Sequence, residues 1–342
     1  MKKQRAAVAF SGGKDSTAAT ILLKEKGYDV VALTMVLGLP DEAAKISRIE
    51  NLAGTLGIPL KTVDLRAAFK EKVIDYFTRS YAAGNTPNPC VVCNYEIKFN
   101  LLLDYALKQA ACDFFATGHY ADKVQISGNY FLKEPVEKQK SQIYFLSLIG
   151  KERLKQVVFP LAGSRIAEVR EMVKDLPLAN RQESQDACFL QDVNLMDYLR
   201  DALPGKFKPG VILDIDGNEI GTHQGAIYFT VGQRRGTRFS SDRKLYVVKT
   251  DAQGNTITLG EDKHLFSDFI TVTSPVFWKE VKPGEVYKVR VRYFGNFTEA
   301  EIESAAPDRI SARFKKPVRA VTPGQIGVFY QDEIIVAAGF IE

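Results

Sequence analysis

AAVAFSGGKDSTAATILLKEKGYDVVALTMV, residues 6–36, decides the fold. AAVAF is a short apolar run of the kind that fills a strand buried on both faces. TAATILLKEKGY has the amphipathic pattern of a helix, and DVVALTMV is a second apolar run. Strand, glycine turn, helix and strand make one βαβ unit of a parallel sheet. The alternation continues downstream: AAKISRIENLAGTLGI reads as a helix, PLKTVDL as a strand, NYEIKFNLLLDYALKQA as a helix and DFFATGH as a strand. The expected fold class is α/β, a doubly wound parallel sheet.

A chain of 342 residues is too long for one compact core of typical size. Beyond about residue 200 the texture changes, because PGKFKPGVILDIDGNEIG places turn residues every few positions. From 268 onward, FITVTSPVFW, EVYKVRVRYF and RISARFKKPVRAV alternate with period two, as a small barrel would. Three parts are expected: a catalytic domain over 1–199, a small central module over 200–266 and a C-terminal β-barrel over 267–342. Apolar residues are 45% and charged residues 25%, values that exclude disordered and collagen-like classes. The longest apolar stretches fall short of the ~20 residues of a membrane helix, and MKKQRAAVAF lacks the pattern of a secretory signal. A cytoplasmic protein with no membrane partner is expected. Net charge is +5, compatible with a polyanionic partner but modest beside dedicated nucleic-acid binders.

SGGKDS at 11–16 sits between the first strand and the first helix. Its glycines permit a tight turn, while Ser11, Ser16, Thr17 and the helix N-terminal amides can cradle a phosphate. It is not a Walker A loop, since GxxxxGK[ST] is absent. Gly118, in ATGHYAD at 116–122, lies at a strand end, where α/β folds bind ligands, and His119 beside it is a candidate substrate contact. Four cysteines in a reduced compartment are chemistry or packing rather than a disulfide framework. Cys112, between a helix and an apolar strand, reads as packing. Cys90, Cys93 and Cys188 are nucleophile candidates, and a helix N-terminus facing Cys93 would lower its pKa. KQKSQIYF at 138–145 and VGQRRGTRF at 231–239 mix basic residues with Gln and aromatics, a composition suited to phosphates and splayed RNA bases.

SGGKDS matches the pyrophosphate loop of the N-type ATP pyrophosphatases. With TPNPCVVCNYEIKF (86–99), ATGHYA, QIYFL, FPL (159–161), ESQDACFL (183–190), IGTHQGAIYFTVGQRRG and VTPGQIGVFY, the chain resembles the bacterial tRNA-specific 2-thiouridylases over nearly its whole length. The resemblance implies a PP-loop domain in which ATP, with Mg2+, adenylates the C2 carbonyl oxygen of a wobble uridine, after which sulfur replaces AMP. It implies nucleotide binding by Phe10, Ser11, Gly12, Gly13, Asp15, Ser16, Thr17, Met35 and Gly118. Asp15 is the candidate magnesium holder. Cys93 takes the nucleophile role and Cys188 that of the persulfide carrier. Asn88, Pro89 and Cys90 fall on the stretch that meets the target base. His119, Lys140, Gln142, Arg292, Tyr293 and Gln325 fall on tRNA-contact positions.

Three departures stand out. The family's PNPDxxCN has Cys90 in place of aspartate, its KDQSYF has lost the carboxylate at Ser141, and an acidic, aromatic insertion after MVLGLP is missing. Cys90 creates a CxxC with a distant third cysteine, the way iron–sulfur thiouridylases of the same superfamily hold a 4Fe–4S cluster. Such a cluster on Cys90, Cys93 and Cys188 would leave one iron open to an exogenous sulfide. Two expectations compete with it: a persulfide relay in which Cys93 attacks, Cys188 or Cys90 resolves and the donor is a persulfide-carrying protein, and the plain reading that Cys90 is a drifted residue. A zinc site lacks an evident fourth ligand, His119 being the one nearby candidate. Two other functions compete. One is an amide-forming PP-loop ligase acting on a small molecule, in which the cysteines are structural. The other is a tRNA-binding protein without catalysis.

Overall fold

The computed structural model describes residues 3–178, 187–190, 193–237, 239 and 242–342. ESQD of the ESQDACFL motif and Arg238 of VGQRRGTRF lie outside them. The chain forms two compact units, the first comprising Met1–Val73, Cys90–Phe189 and Glu333–Ile335, the second Ile74–Pro89, Leu190–Asp332 and Val336–Glu342.

In the first unit, β1 (Arg5–Ala9), α1 (Lys14–Glu25), β2 (Asp29–Val36), α2 (Glu42–Thr55) and β3 (Leu60–Asp64) follow the alternation expected from the sequence. β4 (Phe114–Thr117) is the DFFATGH strand. A hairpin, β5 (Asp122–Ile126) and β6 (Asn129–Lys133), and a two-residue strand, β7 (Val157–Val158), carried too little periodicity to be read from sequence. The parallel sheet has the order β3-β2-β1-β4-β7. Ala6, Ala7 and Val8 are at most 1% exposed, which is why β1 reads as a continuous apolar run. Val8 and Phe10 pack with Leu23 of α1 and Ile49 and Leu52 of α2.

The order reverses at β1, whose successors pair on opposite sides: Ala9 lies opposite Leu33 of β2 and Thr117 of β4. Carboxyl ends of three strands therefore meet at one crevice, where open α/β sheets bind ligands.

In the second unit, β8 (Gly210–Leu213), β9 (Glu219–His223), β10 (Tyr246–Asp251) and β11 (Thr256–Gly260) form a sheet of order β10-β11-β8-β9. Six further strands close a barrel: β12 (Phe266–Phe277), β13 (Val286–Arg290), β14 (Thr298–Ala306), β15 (Arg309–Arg319), β16 (Ile326–Gln331) and β17 (Ile334–Ile341). The closing pair puts Val272 of β12 opposite Ile341 of β17. Period-two alternation buries Tyr287 and Val289 of β13 and leaves Val286 and Lys288 exposed, the barrel pattern expected from the sequence. Among the described residues no helix is long and apolar enough to cross a membrane.

Candidate active site

The crevice holds a cavity of about 200 Å³ lined by Phe10, Ser11, Asp15 and Ser16 from the glycine loop, Met35 from β2, and Gly118, His119 and Gln142. These eight were picked out in the sequence, and the strand register explains why they meet. Phe10 follows Ala9, Thr34 and Met35 follow its neighbour Leu33, and Gly118 follows its other neighbour Thr117.

The loop is held by its own serines. Ser16 Oγ donates to the Gly13 carbonyl at 3.0 Å and lies 3.2 Å from Ser11 Oγ, and the Gly13 amide points to Ser11 Oγ at 3.4 Å. Gly12 needs its glycine: φ is +71°, and a Cβ would stand 2.9 Å from Ile49 Cγ1. Gly13 is the N-cap of α1, and the Thr17 amide donates to its carbonyl at 3.0 Å. Thr17 Oγ1 is buried with no hydrogen-bond partner among the described residues. Gly118 does more than admit a ligand, since its Cβ direction is filled by the Asp15 carbonyl carbon and the Ser16 nitrogen, both at 2.6 Å. Close approach here is between β4 and the loop backbone.

Lys140 Nζ donates to Asp15 Oδ2 at 3.0 Å and lies 4.9 Å from the Tyr120 ring centroid. The Gln142 side-chain carbonyl accepts from the Tyr120 amide at 2.9 Å. His119 Nδ1 lies 2.8 Å from Thr117 Oγ1, and its ring is 5.8 Å from that of Phe99. Burial, then the Lys98 ammonium, holds His119 well below the ordinary histidine range, so the imidazole is neutral at pH 7. The chain after β2 is a short turn fastened by Glu42, whose carboxylate accepts from the Leu37 and Gly38 amides at 2.7 and 2.9 Å.

The expectation for Cys93 requires correction. The helical segment starts earlier, at Pro89, and Cys93 opens a π-helical stretch, Cys93–Leu102, inside it. No helix N-terminus lowers its pKa. Burial instead pushes the thiol up to about 12, against the opposing Lys98 charge. Cys90 and Cys188 are also raised, by desolvation first, and Lys98 opposes the shift in both. The Lys98 charge thus acts on all three thiols. Even so, among the described residues no three His, Cys, Asp or Glu side chains are grouped to hold a metal ion. The donor set does not fit a cluster as placed. Cys112 is buried packing, its thiol directed at the Ala110 carbonyl at 3.6 Å.

Two cavity-lining cations escaped sequence reasoning, Lys45 of α2 and Lys98. Lys98 follows Cys93 by five residues. In an α-helix that spacing separates two side chains, but the wider i→i+5 turn of a π-helix returns them to one face. Nothing in the sequence announces a π turn.

The remaining candidates belong to the second unit. Asn88 and Pro89 are half-buried, and Gln325 donates to the Thr86 and Pro87 carbonyls at 2.9 and 3.4 Å. Arg292 and Tyr293 lie on the loop after β13, where Tyr293 is 4.5 Å from the ring of Phe294, itself 82% exposed.

Residues 4–192 match a family described as "tRNA methyl transferase HUP domain", 196–261 a "tRNA methyl transferase PRC-barrel domain" and 267–341 an "Aminomethyltransferase beta-barrel domain". The tRNA-specific 2-thiouridylase MnmA of Syntrophomonas wolfei is 41% identical, over 98% of this chain and 99% of its own. That of Treponema denticola is 38% identical over 98% and 97%, and MnmA 2 of Thermoanaerobacter sp. is 36% identical over 99% and 98%. On full-length identity of this order, the chain belongs to the tRNA-specific 2-thiouridylase family.

Proposed function

We propose that the chain is an ATP-dependent tRNA sulfurtransferase of the cytoplasm that adenylates O2 of a uridine, at the wobble position, and replaces that oxygen by sulfur. One observation carries the reading: Lys98 lines the cavity of the phosphate-cradling loop, and its charge acts on the thiols of Cys90, Cys93 and Cys188. A nucleotide site next to thiols suits adenylation followed by sulfur attack. It supports sulfur chemistry over the methyl transfer in the family description, and over an amide-forming ligase.

In this reading Ser11, Gly12, Gly13, Ser16 and Thr17 cradle the phosphates at the α1 N-terminus. Phe10, Met35 and Gly118 bound the nucleoside. Asp15 is the carboxylate that would hold magnesium, an ion commonly bound by one or two carboxylates together with substrate phosphates. The ion would neutralise charge on the departing pyrophosphate. The uridine O2 attacks the α-phosphorus, and the α–β bond breaks to release pyrophosphate. The terminal sulfur of a persulfide on Cys188 adds to C2, and AMP leaves with the former uridine oxygen. The Cys93 thiolate then attacks the Cys188 sulfur. That cleaves the S–S bond, frees 2-thiouridine and leaves a Cys93–Cys188 disulfide, which a thiol reductant returns to thiols. A persulfide-carrying protein reloads Cys188. His119, Lys140, Gln142, Arg292 and Tyr293 serve the tRNA, the last two from the barrel of the three-part division 1–199, 200–266 and 267–342.

The test is thiolation of tRNA by Cys90→Ser, Cys93→Ser and Cys188→Ser, with iron assayed in protein purified without oxygen. The persulfide reading expects iron-free protein, loss of product in the second and third variants and retention in the first. Bound iron together with loss of product in Cys90→Ser would overturn it in favour of sulfide delivered from a 4Fe–4S cluster. Absence of thiolated tRNA with ATP turnover retained in all three would favour the amide ligase, and absence of both thiolated tRNA and ATP turnover a binding protein.

A further inference from the structure

Gln325 does not stand alone against the segment that leads to Asn88 and Pro89. The Thr86 amide donates to the Pro323 carbonyl at 2.9 Å, and the Gln325 amide group donates to the Thr86 and Pro87 carbonyls. Gly324, at φ +88°, presses against the same place, since a Cβ there would stand 2.9 Å from Asn85 Cβ and 3.0 Å from the Thr86 nitrogen. Thr230, in the VGQRRG stretch, receives the Thr86 hydroxyl at 3.2 Å, and Thr250 Oγ1 of β10 donates to the Gly84 carbonyl at 3.1 Å. Pro87 is buried although it lies in a loop. The barrel turn 321–325 and Thr250 of the central module therefore hold the stretch 84–87 by its backbone, and Thr230 holds the Thr86 side chain.

We propose that this clasp sets the position of Asn88 and Pro89, so that Gln325 is a positioning residue acting through the Thr86 and Pro87 carbonyls rather than through RNA. The proposal rests on the thiolation reading above. Its physical basis is that a backbone held by four hydrogen bonds, three with the turn 321–325 and one with Thr250 of β10, has one position. A misplacement of about 1 Å near a reacting centre costs up to about a hundredfold in rate. A backbone-held loop also accounts for both glycine and glutamine in VTPGQ: the first removes a side chain that would push the loop away, the second supplies a donor that spans two carbonyls.

The experiment compares wild type, Gln325→Ala, Gln325→Glu and Gly324→Ala. It measures tRNA affinity without ATP, the single-turnover thiolation rate at saturating tRNA and ATP, and hydrogen exchange at the Thr86 amide. Gln325→Glu keeps the size but puts a carboxylate against two carbonyl oxygens. The clasp predicts tRNA affinity within about twofold of wild type, a rate lower by about tenfold or more, and faster Thr86 exchange in each variant. Weakened tRNA affinity with an unchanged saturated rate would overturn it and make Gln325 an RNA contact. Unchanged exchange in Gln325→Glu would overturn it independently of any activity. Failure of the underlying thiolation reading would look different, because wild type itself would then make no 2-thiouridine.

Discussion

Lys140 Nζ lies 3.0 Å from Asp15 Oδ2, and the two side chains are only 17% and 27% exposed. The ammonium occupies the carboxylate proposed to hold magnesium, so cation and metal compete for one ligand. A partly screened pair is stronger than a surface one, since its charges are shared less with water.

Removing the competitor should then help the metal. Lys140→Met is expected to lower the magnesium concentration at half-maximal ATP binding by several-fold, and Asp15→Asn to raise it about tenfold. Calorimetric titration of ATP at varied magnesium, without tRNA, reads both. A rise in Lys140→Met would mean that the lysine assists nucleotide binding directly.

Gly118 decides whether β4 can lie against the glycine loop. In Gly118→Ala the new methyl would meet backbone atoms of Asp15 and Ser16 at 2.6 Å, and backbone cannot rotate aside as a side chain can. The expected outcome is a stability loss of about 1–3 kcal/mol together with ATP affinity lower by at least about tenfold. Gly163→Ala is the control, because nothing lies within 4 Å of a Cβ there. Equal behaviour of the two variants in thermal melts and ATP titrations would show that the loop can move.

The sheet and its ligand crevice were legible because β1, β2 and β4 are short apolar runs separated by helical stretches, the alternation that makes right-handed parallel crossovers. Gly118 is legible because it follows directly on a strand end, whereas Met35, inside β2, is named by the family resemblance. The partners of the cysteines were less accessible. An α-helical reading of NYEIKFNLLLDY places Lys98 away from Cys93, and only the π turn aligns them. The Cys93 environment differs from the sequence expectation for a related reason: the pattern puts the helix start at NYEIKF, whereas Pro89, which needs no amide partner in a first turn, opens it five residues earlier. Gln325 was legible as a residue of interest but not as a clasp, because its partners are carbonyls more than two hundred positions away, and carbonyls leave no mark on sequence.

Cys93 offers a pH test of the corrected environment. In a variant with Cys90, Cys112 and Cys188 replaced by Ser, alkylation by an uncharged haloacetamide reports the Cys93 thiolate alone. A thiol held near 12 by burial is almost wholly protonated at neutral pH, and its reaction rate should climb about tenfold per pH unit and still be rising at pH 10. An unburied thiol would level off near its ordinary value of 9.0. Lys98 opposes the burial, so Lys98→Met should slow alkylation at every pH below that of the plateau, whereas Lys98→Arg, which keeps the charge, should restore most of the rate. A plateau at or below pH 9 in the Lys98-containing protein would show that the thiol is not desolvated. Equal rates in Lys98→Met and Lys98→Arg would show that the ammonium does not reach it.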